Sequence, residues 1–104
     1  GTTGANGNTK TIRLYLGSTV LMSNNVTTAP NNAGWSFECE LFRTSATTAK
    51  AIATGSVGSV QQTTTYSGVG ETLTGALTIK ITGQNGVATA NDIVAQFLSV
   101  TYIN

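Results

Sequence analysis

TIRLYLGSTVLMS, residues 11–23, decides the fold class. Ile12, Leu14 and Leu16 fall on one side of an alternation, and Thr11, Arg13 and Tyr15 on the other. A period of two with one apolar side is the pattern of a half-buried strand. Gly17-Ser18 then supplies a two-residue turn, because glycine adopts positive φ without a steric penalty. TVLMS returns as the second strand of a hairpin.

The same alternation recurs outward along the chain. ALTIKIT, residues 76–82, sets Leu77, Ile79 and Ile81 against Thr78, Lys80 and Thr82. VAQFLSVTY, residues 94–102, puts Val94, Leu98, Val100 and Tyr102 on one face and Ala95, Phe97, Ser99 and Thr101 on the other. No stretch holds a helical apolar repeat. Residues 86–96 come nearest, but their Ala, Thr and Asn content and the β-branched run that follows argue against a helix. Gly, Asn and Pro punctuate the chain at 24–34, 54–59, 67–70 and 83–86. The expected strands are 10–16, 19–23, 35–43, 49–55, 58–66, 71–74, 76–82 and 93–103. With no helices for parallel crossovers, about eight strands imply an all-β, antiparallel β-sandwich of jelly-roll type. Residues 1–9 read as a flexible leader or linker, and 10–104 as a single β-sandwich domain.

Composition narrows the function classes. Of the 104 residues only 9% are charged, against roughly a quarter in an average soluble domain. Thr, Ser, Asn, Gln and 12 Gly carry the polarity instead, a surface suited to packing against another subunit. The net charge of +1 and five scattered Lys and Arg give no basic stripe, so nucleic acid is not an expected partner. No stretch approaches the length of a membrane-spanning helix, and GTTGANGNTK has no apolar core of a signal peptide. Cys39 is alone, which excludes an intrachain disulfide, and it reads as a small buried hydrophobe.

Glu38 and Glu40 in WSFECELF, residues 35–42, invite a catalytic reading. Alternate strand residues lie roughly 6.5–7 Å apart on one face, a spacing compatible with an inverting glycosidase. That mechanism, however, needs carboxyls on opposite sides of a sugar, and neighbours on one flat strand do not provide it. The expectation is an outward strand face where both glutamates meet cross-strand cations such as Arg13, Arg43, Lys50 or Lys80. There is no His, which removes imidazole bases and triads. Four acids and one Cys give no metal cluster, and Asn91-Asp92 reads as an Asx turn rather than a calcium loop. Neither cofactor nor metal is expected.

Binding is the stronger expectation. Aromatic faces and short amides hold sugars, and Tyr66, Tyr15, Asn85, Asn91 and Asp92 form the candidate ligand-binding set. Trp35 keeps register with Phe37 and Leu41 and reads as core. Phe42 and Phe97 point away from their strands' inner faces. With Glu38, Glu40 and Arg43 they form the candidate oligomer interface.

Three blocks carry a resemblance: KTIRLYLGSTVLMSN, WSFECELFRTSATTAKAIATG and ALTIKITGQNGVATANDIVAQFLSVTYIN. In order and spacing, from Lys10 to Asn104, they resemble a small β-domain at the C-terminal end of phage and prophage tail fibre, tailspike and related virion proteins. TGQNGVATANDIV is the most specific block. The resemblance implies a jelly roll that forms a homotrimer on the virion, exposed to the extracellular medium. Such a module caps a fibre, touches host-surface polysaccharide, or packs on other virion proteins. It brings no catalytic residues, so the expected module is not an enzyme. Two alternatives stay open: a capsid decoration protein that binds other virion proteins, and a glycoside hydrolase domain using Glu38 and Glu40.

Overall fold

A computed structural model describes residues 1–26 and 32–103, with the side chains of 65–67 outside the description. The chain is all-β. Its strands are β1 (Thr2–Thr3), β2 (Lys10–Leu16), β3 (Thr19–Val26), β4 (Trp35–Arg43), β5 (Ala49–Val57), β6 (Val60–Val69), β7 (Ile79–Asn85) and β8 (Ile93–Val94). Every ladder is antiparallel. One sheet has the order β3-β2-β7 and a second the order β4-β5-β6, while β1 and β8 pair separately. The two sheets face each other as an antiparallel β-sandwich, with β3 lying over β5 and β6. These pairings are three hairpins and two pairings between strands distant in the chain, β2 with β7 and β1 with β8; they do not by themselves trace a jelly roll.

Two hairpins turn on the same dipeptide. Gly17 before Ser18 and Gly58 before Ser59 both sit at φ 58°, a left-handed conformation that a side chain resists. In the first hairpin a register shift beside Leu14/Tyr15 inserts an extra residue in β3. Leu21 and Met22, adjacent in sequence, therefore both turn inward.

Ile12, Leu14 and Leu16 supply the inner face of one sheet, as the alternation requires. Against them the middle strand of the other sheet presents Ala49, Ala51, Ala53 and Gly55. These small residues let the long side chains of the facing sheet reach the backbone. At Gly55 an added Cβ would run into the Phe37 ring and lie 2.8 Å from Met22 Sδ. Trp35, Val57, Val26 and Ile12 form a second cluster. Each fully buried aliphatic side chain contributes about 1.5–3 kcal/mol.

Four expectations are revised. Residues 71–74 form turns rather than a strand, because Glu71 reaches across to the Gly17 hairpin. The strand expected at 76–82 starts at Ile79, because its partner β2 ends at Leu16; one last bond, Gly17 N to the Thr78 carbonyl at 2.8 Å, follows the same register. The strand expected at 93–103 pairs only at 93–94; residues 95–103 have neither ladder, turn nor bend. The first nine residues, expected as a leader, contribute β1 and a loop that packs on Lys10.

Candidate functional site

Two regions collect most of the candidate residues: a cleft at one end of the sandwich and an apolar flank along β4.

The cleft encloses about 240 Å³ and is lined by Trp35, Asn85, Thr89, Asn91, Asp92 and Ile93, among others. Through Asp92 it adjoins a buried polar knot. Lys10 shares the inward parity of Ile12, Leu14 and Leu16, so its side chain enters the interior at the end of β2. Lys10 Nζ lies 3.4 Å from Asp92 Oδ1, and neither side chain is exposed. The ammonium also donates to the Asn6 carbonyl at 3.2 Å, Asn6 Oδ1 at 3.0 Å and the Asn8 carbonyl at 3.1 Å. Asn6 Nδ2 donates to Asp92 Oδ1 at 2.6 Å. A buried charge is tolerated when it is paired and hydrogen-bonded in this way. Asp92 Oδ2 is buried without a partner.

The knot assigns structural work to much of the expected ligand-binding set. Asp92, expected at an open loop tip, is buried as the counter-ion of Lys10. Asn85 donates to the Thr89 carbonyl at 3.0 Å and closes its own loop. Asn91 is exposed and sits at φ 58°, where an Asn is tolerated. Tyr15 lies at the far end of β2 under Lys80, whose Nζ is 4.8 Å from the ring centroid. The Tyr66 side chain lies outside the described residues; its backbone pairs with Ala51 in β6. The structure brings together Asn85, Asn91 and Asp92 and leaves Tyr15 apart.

Along β4 the alternation holds. Glu38 and Glu40 are exposed on the outer face, opposite Thr54 and Ile52 of β5. The cross-strand cations expected for them are engaged elsewhere. Arg13 donates to Gln84 Oε1 at 3.0 Å, Arg43 Nε to the Ser45 carbonyl at 2.9 Å, and Lys80 covers Tyr15. Lys50 stands opposite Phe42. Among the described residues the ion pair present is Lys10–Asp92. Phe42 is 56% exposed on the same outer face, and Phe97 is 82% exposed on the segment beyond β8.

The inner face of β4 loses its cover along its length. Trp35 is buried, Phe37 and Cys39 are half-buried, and Leu41 is exposed. Burial, then the charge of Glu40, raise the Cys39 pKa, so the thiol is no activated nucleophile. No cluster of three or more His, Cys, Asp or Glu able to hold a metal occurs among the described residues.

One contact that sequence reasoning missed fastens the first hairpin. Glu71 Oε1 accepts from Ser18 N and Oγ at 2.8 Å and from Thr19 N and Oγ1 at 2.9 Å. The Ser18 and Thr19 hydroxyls, then the Ser18 amide, hold the Glu71 carboxyl below its usual pKa against a small opposing effect of burial. No local signal marks this contact, since its parts lie far apart in the chain. The parity of Lys10 with three core residues was the available signal for the buried knot.

Compared with family models, curated proteins and solved structures, the chain matches none.

Proposed function

We propose that this domain is a non-catalytic structural and adhesion module of a phage virion, assembled as a homotrimer at the tip of a tail fibre or tailspike. Its outer loops contact host-surface polysaccharide. The observation that carries the reading is the exposed apolar surface: Phe42, Phe97, Leu98, Val100, Tyr102 and Ile103 are between 51% and 88% exposed. Surfaces of this kind mark association sites. The low charge content and hydroxyl-rich faces favour subunit packing over a free domain, and the resemblance of the three sequence blocks favours a virion. The acids offer little to an enzyme: Glu38 and Glu40 share one open strand face, and Asp92 and Glu71 are committed to Lys10 and to the first hairpin.

Sedimentation and a glycan array test the reading together. The expected result is three times the 10.7 kDa chain mass and a specific glycan signal that survives Glu38→Gln and Glu40→Gln. A single-chain mass at high concentration overturns it. A trimer silent on every glycan selects the decoration protein, and polysaccharide cleavage abolished by either substitution selects the hydrolase.

A further inference from the structure

The knot of Lys10, Asn6 and Asp92 holds more than an ion pair. Its members meet in the arrangement that forming a new amide requires. Lys10 Nζ, a nucleophile once neutral, donates to Asn6 Oδ1 at 3.0 Å, so it stands beside the side-chain carbonyl of Asn6. Asn6 Nδ2, the nitrogen that would leave, donates to Asp92 Oδ1 at 2.6 Å. The same Asp92 oxygen lies 3.4 Å from Lys10 Nζ. One carboxylate oxygen thus reaches both the attacking and the departing nitrogen. The backbone N–H of Asn8 donates to Asn6 Oδ1 at 3.0 Å, where negative charge would develop. These partners fix the orientation of the Asn6 amide, because Oδ1 faces two donors and Nδ2 faces a carboxylate.

The chain builds this site from both of its ends. Inward parity carries the Lys10 side chain inside, and the preceding loop curls back so that the carbonyls of Asn6 and Asn8 accept from Nζ at 3.2 Å and 3.1 Å. Asp92 is held beside that loop by Gly4 N, which donates to its carbonyl at 2.9 Å. Gly4 also leaves the carboxylate room, since a Cβ there would lie 2.6 Å from Asp92 Oδ1. Neither the Lys10 nor the Asp92 side chain is exposed. Burial of this kind penalises a charged pair more than the neutral amine and acid reached by one proton transfer. Asp92 Oδ2, buried without a partner, adds to the cost of keeping the carboxylate charged.

We infer that Lys10 and Asn6 join through an isopeptide bond, with Asp92 as the proton relay. Asp92 takes a proton from Nζ. The freed lone pair attacks Asn6 Cγ, the carbonyl π pair moves onto Oδ1, and the Asn8 N–H stabilises the charge there. Asp92 passes its proton to Nδ2 and takes a second one from Nζ. The pair on Oδ1 then re-forms the carbonyl, the Cγ–Nδ2 bond breaks and ammonia leaves. Of the Nζ protons, one stays on the new amide, one departs with ammonia and one rests on Asp92. No oxidant, reductant or second substrate enters the balance, and the reaction turns over once per chain. Holding the groups in contact replaces a bimolecular encounter, the largest barrier between an amine and an unactivated amide. The product ties the loop before β2 to the strand covalently and exchanges a buried charge pair for neutral groups. None of this depends on the virion reading.

Intact mass and peptide mapping of the folded full chain test the bond. The wild type is expected to weigh one ammonia less than its 10.7 kDa sequence. Trypsin is expected to spare the bond after Lys10 and to release a peptide ending at Arg13, whose fragmentation shows Asn6 joined to Lys10. Lys10→Arg is expected to keep the full mass. Asp92→Asn, with its fold checked by circular dichroism, is expected to form the link about a hundredfold more slowly or less. A wild type of full mass, cleaved after Lys10, overturns the inference, and this result needs no variant to fold. An ammonia loss that persists in Lys10→Arg also overturns it, because that loss reports a succinimide at Asn6-Gly7. Linkage at the wild-type rate in Asp92→Asn overturns the relay.

Discussion

Lys10 and Asp92 meet inside the protein, Nζ to Oδ1 at 3.4 Å, with no exposure of either side chain. This pair joins the start of β2 to the residue before β8, and Asn6 of the preceding loop bonds to both partners. Removing one charge strands the other. Asp92→Ala is expected to destabilise the fold by about 3–5 kcal/mol, and Lys10→Met/Asp92→Leu by clearly less than the sum of its single changes. Denaturant midpoints of the three variants check this; additive losses would contradict a coupled pair.

Glu71 gives stability an acid dependence. Its folded pKa is lowered, by the Ser18 and Thr19 hydroxyls first, from the ordinary 4.5. The depressed group stabilises the fold above its unfolded pKa and loses that contribution as pH falls through the lower folded value. Glu71→Gln is therefore expected to be less stable than wild type at neutral pH, with the gap closing below pH 4.5. Urea midpoints across that range measure it; a constant gap would contradict the assignment.

Gly55 and Gly75 separate packing from glycine content. Gly55→Ala drives a methyl into Phe37 and Met22 and is expected to cost about 1–3 kcal/mol. Nothing lies within 4 Å of a Cβ at Gly75, so Gly75→Ala is expected to leave the thermal midpoint unchanged or slightly higher.

Cys39 is expected to react slowly. Desolvation, then Glu40, raise its pKa above 9.0, so little thiolate exists at pH 8. Thiol labelling of the native protein should lag well behind that of the urea-unfolded chain. Equal rates would show a fully open β4 flank.

The strands with self-contained patterns were legible in the sequence. β2 and β4 fall at their expected limits, 10–16 and 35–43, because their alternation and flanking turns are local properties. β3 and β5 run three and two residues further than expected, since a paired neighbour continues to reward the ladder, and β6 is shifted, starting two residues later and ending three later. Residues 71–74 were misread because Thr and Leu suggest a strand, while Glu71 is drawn away by a hairpin far upstream. Trp35 as core and Phe42 as outward followed from parity alone, whereas 95–103 is exposed on both faces, Leu98, Val100 and Tyr102 as well as Phe97. The cations facing Glu38 and Glu40 did not, because which strands neighbour β4 is set by tertiary pairing. Asp92 looked like a loop-tip residue; nothing nearby revealed a buried lysine at the opposite end of the chain.

The pairing of β1 with β8 also fixes how the molecule bears load. Residue 1 and residue 95 emerge from the same end of that two-rung ladder. Tension pulling these two points apart would open the rungs in succession, the compliant direction for hydrogen-bonded ribbons. The same tension would next meet the Lys10 cluster, whose bonds to Asn6, Asn8 and Asp92 stretch together as one clamp. This corner of the fold thus combines a soft release with a firm stop.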